Sequence, residues 1–134
     1  MDTILIDDDP TGVFLTTRLL QREGQPADTV KSFLSPVDAV AFFRRQVLTG
    51  PLPHVVLLDL NMPLLSGWDV LKALQPLEAQ LLGRCLVYLL TSSLAPADMA
   101  RAKEYPLVAG LLHKPLDRTK IHAIQARVQE AMPS

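Results

Sequence analysis

Four groups of residues in this 134-residue chain could carry chemistry, and each stands where a short apolar run ends. Asp7, Asp8 and Asp9 follow the run 3–6, Asp59 follows 54–58, Thr91 follows 85–90, and Lys114 lies just past 108–112. A carboxylate can attack phosphorus to give an acyl phosphate. The transferring phosphoryl group spreads negative charge over its equatorial oxygens, so the reaction asks mainly for cations and donors around it. Gathered in one site, Asp59 would be the nucleophile, Lys114 the ammonium and Thr91 the hydroxyl. Bringing Asp7, Asp8 and Asp59 together costs about 4 kcal/mol per pair at roughly 4 Å and an effective dielectric near 20. A divalent cation relieves that repulsion. Oxygen ligands without a His or Cys cluster suit a hard ion, and so few protein ligands suit magnesium, which keeps waters and takes phosphate oxygens.

The elements that must gather these residues are legible in the pattern. The runs 3–6, 29–33, 54–58, 85–90 and 108–112 read as strands, the second being the weakest. Between them, Gly12, Leu15 and Leu19 set the face of a first helix that Gly24 stops. Ser35, Pro36 and Asp38 form an N-terminal cap ahead of Val40, Phe43 and Val47, so a second helix starts at Pro36. Ser66 and Asp69 repeat the cap before Val70, Leu71 and Leu74, and Pro76 ends or breaks that third helix. A fourth runs from Pro96 or Ala97 to Glu104, and a fifth from Asp117 with the stripe Ile121, Ile124, Val128 and Met132.

Apolar strands that each precede a helix predict an α/β fold, a doubly wound five-stranded parallel sheet covered on both faces. Ligands of such sheets bind at the carboxyl ends of the strands, where the strand order reverses. In the order 2-1-3-4-5 that reversal lies between the first and third strands, which sets Asp7 and Asp8 beside Asp59.

Composition bounds the function from outside. Apolar residues make up 49% of the chain and charged residues 20%, enough for a packed core. The expectation is one domain over residues 1–134 with no output domain. A net charge of -1 and the lack of a basic run argue against a nucleic-acid surface or a membrane-surface patch. Residues 1–6 leave no signal-peptide core and no apolar run is long enough to span a bilayer, so a cytoplasmic location is expected. Cys85 reads as a small buried hydrophobe, and His54, His113 and His122 lack metal-ligand spacing and read as surface or strand-flanking residues.

Each site residue also has a plain structural reading. The aspartates before Pro10 can cap a helix, Asp59 can close a turn, Thr91 can cap and Lys114 can be a solvated strand-end lysine. Their joint placement favours the functional reading. The segments Ile4-Leu-Ile-Asp-Asp-Asp-Pro10, Leu57-Leu-Asp-Leu-Asn-Met-Pro63 with Gly67, Leu90-Thr-Ser92 and His113-Lys-Pro115 resemble the receiver domains of two-component response regulators across nearly the whole chain.

That resemblance implies a flavodoxin-like (βα)5 fold and a phosphoacceptor switch, with Asp59 taking a phosphoryl group from a histidine kinase. It implies magnesium on Asp8, Asp59 and the backbone carbonyl of Asn61, with Asp7 acting through a bound water. By the same matching Asp9 is a helix-start carboxylate, Thr91 and Lys114 contact the phosphoryl group, small Ser92 leaves the phosphorus accessible, and Pro115 follows a cis peptide that aims Lys114. The chain departs from the family where many receivers carry an aromatic switch residue, since that position is Leu111.

The implied partners are a sensor histidine kinase or a phosphotransfer protein, then a downstream target or a second copy bound through helix 4, strand 5 and helix 5. A phosphate shuttle or sink within a relay is an alternative use of the same site. A phosphatase of the haloacid-dehalogenase type also pairs a strand-end aspartate with magnesium, but it needs an acid two residues after the nucleophile, and that position is Asn61. A pseudo-receiver would lack one of the site residues. The expectation is a signalling domain, not an enzyme.

Overall fold

Strands that are apolar along their whole length need cover on both faces, and the chain supplies it by following each strand with a helix. The computed structural model describes residues 1–132. The strands are β1 (Asp2–Ile6), β2 (Thr29–Phe33), β3 (Val55–Asp59), β4 (Leu86–Thr91) and β5 (Val108–His113). The helices are α1 (Pro10–Glu23), α2 (Pro36–Thr49), α3 (Gly67–Leu74), α4 (Pro96–Ala102) and α5 (Arg118–Ala131). All neighbouring strands pair in parallel in the order β2-β1-β3-β4-β5, the expected doubly wound flavodoxin-like sheet.

Alternation along the strands splits the core in two. Ile4, Ile6, Val56, Leu58, Val87 and Leu89 pack against α2 and α3 through Val40, Phe43, Leu71 and Leu74. Leu5, Leu57 and Leu90 face the other way, onto Leu20 of α1 and Ile121, Ile124 and Val128 of α5. Central β3 is buried at every residue, whereas β2 lies at an edge with three of its five residues exposed, which is why its apolar signal is weak. Among the described residues no helix is long and apolar enough to cross a membrane.

The caps form at the residues that signal them. The Asp9 carboxylate accepts from the Thr11 N–H and the Ser35 hydroxyl from the Asp38 N–H, Ser66 and Asp69 close a reciprocal capping box, and Asp117 accepts from the Lys120 N–H. Cys85 is buried, and burial pushes its thiol up to about 12, far from a reactive thiolate.

Three features differ from the sequence reading. The ladder pairs Asp59 with Leu90 and Thr91 with His113, so β3, β4 and β5 each run one residue past their apolar pattern, because backbone pairing does not depend on side-chain polarity. The inward face of α1 is set by Val13, Leu19 and Leu20, so of the expected line Gly12, Leu15 and Leu19 only Leu19 packs on the core. Leu15 is 61% exposed, since several apolar lines fit one helical period and docking on the sheet chooses among them. Helix α3 breaks at Leu74 ahead of Pro76 as expected, but the chain then adds two unread turns, one 3-10 turn (Gln75–Leu77) and one α turn (Glu78–Leu81) that buries Leu81. The Lys114–Pro115 peptide is cis as the resemblance implies, and Gly50–Pro51 is cis as well.

Gly67 holds the turn after β3 against the site. Its N–H donates to the Leu60 carbonyl at 3.1 Å, and a Cβ there would lie 2.8 Å from the Asp59 carbonyl oxygen and 3.0 Å from Leu60 Cα. Those obstacles are backbone and cannot swing aside. Gly67→Ala is therefore expected to destabilise the domain by about 1–3 kcal/mol, the usual range for overpacking, in a urea or thermal melt.

Candidate functional site

The strand order reverses between β1 and β3, and the polar residues of the sequence meet in that crevice. Asp7 follows β1, Asp59 ends β3, Thr91 ends β4 and Lys114 follows β5. Asp7, Asp59 and Thr91 are each at most 4% exposed, and Asp8 is half-buried. Carboxylate oxygens of Asp7, Asp8 and Asp59 lie within 4.8 Å of one another.

Each buried oxygen has a defined partner. The Lys114 ammonium stands between two acids, 3.1 Å from Asp59 Oδ2 and 3.3 Å from Asp7 Oδ2. The backbone N–H of Asn61 donates to Asp59 Oδ1 at 3.0 Å, and that of Asp9 donates to Asp7 Oδ1 at 3.0 Å. The Asn61 side-chain amide donates to Thr91 Oγ1 at 3.3 Å, while the Thr91 hydroxyl donates to the Ser93 carbonyl at 3.0 Å. Lys114 is also fixed through its backbone, whose N–H donates to the Thr91 carbonyl at 2.7 Å.

The expected site residues Asp7, Asp8, Asp59, Asn61, Thr91 and Lys114 therefore share one crevice. Asp9 stands aside as the cap of α1, and the three histidines play no part in the cluster. His54 Nδ1 accepts from the Asp2 N–H, His122 pairs with Glu23 at 2.8 Å, and the His113 side chain is exposed. One contributor went unread in the sequence: a Cβ at Gly12 would lie only 3.1 Å from Asp7 Oδ2, so glycine in the first turn of α1 leaves room for that carboxylate. A glycine interrupting a helical pattern is the signal that could have found it.

The electrostatics are those of an acid cluster with part of its charge balanced. Burial raises the Asp7 carboxyl above the ordinary aspartate range and Asp59 adds to the rise, against the Asp9 N–H and Lys114, which favour the ionised form. Burial alone would lower Lys114, but its bond and attraction to Asp59, and then to Asp7, carry it above the ordinary lysine value. Three closely set carboxylate oxygen donors with no sulfur or imidazole among them fit a hard divalent cation.

The signs give a pH dependence. A raised Asp7 favours the fold below the usual aspartate value near 3.9, and that contribution is lost as pH rises through its shifted value. A raised Lys114 keeps its stabilising pairing up to the ordinary lysine range and loses it above. Without divalent cations, Asp7→Asn should melt higher than the parent at neutral pH, and added magnesium should stabilise the parent more than the variant; calorimetry with and without magnesium checks both.

The family model described as response regulator receiver domain matches residues 3–126. Among solved structures the chain is similar to a response regulator receiver protein from Dyadobacter fermentans, with 28% identity and a TM-score of 0.84 over 100% of this chain and 99% of that one. It is similar to a two component response regulator from Cytophaga hutchinsonii, with 27% identity and a TM-score of 0.83 over 96% of each chain. A two-component response regulator from Legionella pneumophila shares the fold at 22% identity, with a TM-score of 0.80 over 97% of this chain and 98% of that one. No curated protein matches the chain. With the family model spanning most of the sequence and the acid cluster at the sheet's switch point, the chain belongs to the response regulator receiver domains of two-component signalling.

Proposed function

We propose that Asp59 accepts a phosphoryl group from a phosphohistidine presented by a sensor histidine kinase or a phosphotransfer protein, and that the domain responds by reshaping a partner-binding face. The observation that carries this reading is the buried Asp59 carboxylate, with the Asn61 N–H on one oxygen and the Lys114 ammonium on the other. In the transfer an Asp59 oxygen bonds to phosphorus as the bond from phosphorus to imidazole nitrogen breaks, its electron pair returning to the imidazole. Lys114, already beside Asp59, follows the charge as it moves onto the equatorial oxygens. Asp7, Asp8, Asp59 and the backbone carbonyl of Asn61 would hold magnesium, whose charge when bound offsets the repulsion between these carboxylates and the incoming phosphoryl group. Attack of water on the phosphorus of the acyl phosphate breaks its bond to the Asp59 oxygen, restores the carboxylate, releases inorganic phosphate and resets the switch.

The response begins at Thr91. Its hydroxyl donates to the Ser93 carbonyl in the resting state, and turning it to a phosphoryl oxygen frees that carbonyl and the loop that leads into α4. Leu111 stands where many receivers carry an aromatic, so the loop, and not a swinging ring, is the two-state element. Helix α4 suits this role because Ala102 is its one buried residue. Beside it an open apolar groove of about 280 Å³, lined by Leu94, Met99, Val108 and Leu111, gives the α4 and β5 face a surface for a downstream protein or a second copy.

Incubation with magnesium and acetyl phosphate should add one phosphoryl group to the parent and none to Asp59→Asn by intact mass; equal gain in both overturns the reading. Lys114→Met should slow the transfer about a hundredfold, the usual loss for a donor to developing oxyanion charge. Thr91→Ala should still be phosphorylated, yet show no change in hydrogen exchange across α4.

A further inference from the structure

Lys120 is the third residue of α5, in a first turn that holds no acidic residue. A cation at that end of a helix opposes the macrodipole, so propensity alone does not account for it. The Asp117 carboxylate takes its backbone N–H at 2.8 Å, as any residue at that place would allow. The ammonium has a different engagement. It donates to the His113 carbonyl at 2.8 Å and to the Pro115 carbonyl at 3.3 Å. It forms no pair with a carboxylate among the described residues.

Those two carbonyls belong to the residues on either side of Lys114. His113 is the last residue of the edge strand β5, and Pro115 has no N–H with which to tie itself down. Lys114 must nevertheless aim a long, flexible side chain at Asp7, just past β1, and at Asp59, the last residue of β3. Any looseness of its backbone is carried to its ammonium. Its own N–H, on the Thr91 carbonyl, fixes one point of that backbone, and one cation that bonds both flanking carbonyls fixes two more.

We infer that Lys120 is a positioning residue for phosphoryl transfer: by bonding the carbonyls of His113 and Pro115 it fixes the backbone from which Lys114 reaches Asp59. The inference rests on the proposed role of Lys114, and it gives Lys120 no contact with the phosphoryl group itself.

Single-turnover phosphorylation of the full chain by phosphoramidate with magnesium, followed by intact mass, tests it. Lys120→Met keeps the stem and removes the donors, and should lower the saturating rate about tenfold, an effect of the size expected from slight misplacement of a catalytic group. The phosphoramidate concentration for half-maximal rate and the magnesium affinity should stay at parental values, because Lys120 touches neither. Lys120→Arg should restore most of the rate. In the Lys114→Met background Lys120→Met should cost nothing further, since both act through one ammonium. A folded Lys120→Met that transfers at the parental rate overturns the inference, as does failure of Lys120→Arg to recover what Met loses, or an undiminished loss in the Lys114→Met background. Should Lys120→Met not fold, Lys120→Gln is read by the same criteria. A parent that takes no phosphoryl group at Asp59 would defeat the underlying reading instead, so the two failures are distinguishable.

Discussion

The site rests on one interaction, the Lys114 ammonium held between the carboxylates of Asp7 and Asp59. Acids this close inside a protein repel strongly, and one lysine with a few backbone N–H groups offsets only part of that repulsion. The remainder shows in Asp7, which burial and its neighbour hold toward the neutral form. An arrangement with negative charge left over is the natural receptor for a hard cation, and the same lysine is free to follow charge onto a phosphoryl group. The charge balance of the candidate site is thus set by one cluster.

Keeping that cluster in place falls to the sheet. Strand β3 is buried at every residue, so Asp59 stands at the end of a strand covered along its whole length. Gly12 and Gly67 remove the side chains that would otherwise press on Asp7 and on the Asp59 carbonyl. On the far side the Lys114 N–H bonds the Thr91 carbonyl of β4, and the carbonyls of His113 and Pro115 on either side of it accept from the Lys120 ammonium. Helix α4, by contrast, is short and buries little. Arg101 at its end lies 4.6 Å over the Trp68 ring, and Tyr105 stacks on Trp68 at 5.9 Å, so its last turn is tied to α3 while its first turn leaves a loop governed by Thr91 and Ser93.

Much of this was written in local sequence. Five apolar runs separated by capped helices require a covered parallel sheet, because strands without a polar face cannot lie against water. Polar residues at strand ends mark the rim where such sheets bind ligands, and four motifs in order there carry the family resemblance. These signals are local: a cap needs its own three or four residues, and a strand its own alternation.

What tertiary structure alone decided involves choices between equivalent lines or contacts across long separations. Helix α1 offers two apolar lines, and only docking on β1 and α5 selected Val13 and Leu20 over Leu15. The turns beyond Pro76 formed because Leu81 found a place in the core, which no local signal announces. The pairing of Lys114 with Asp7 spans 107 residues, and the partners of Lys120 become visible only once the chain turns between β5 and α5. The polar residues that meet in the crevice could be named from the sequence; which oxygen meets which donor, and hence how the charge is balanced, was settled by packing, because Coulomb interactions depend on distances that one-dimensional spacing does not fix.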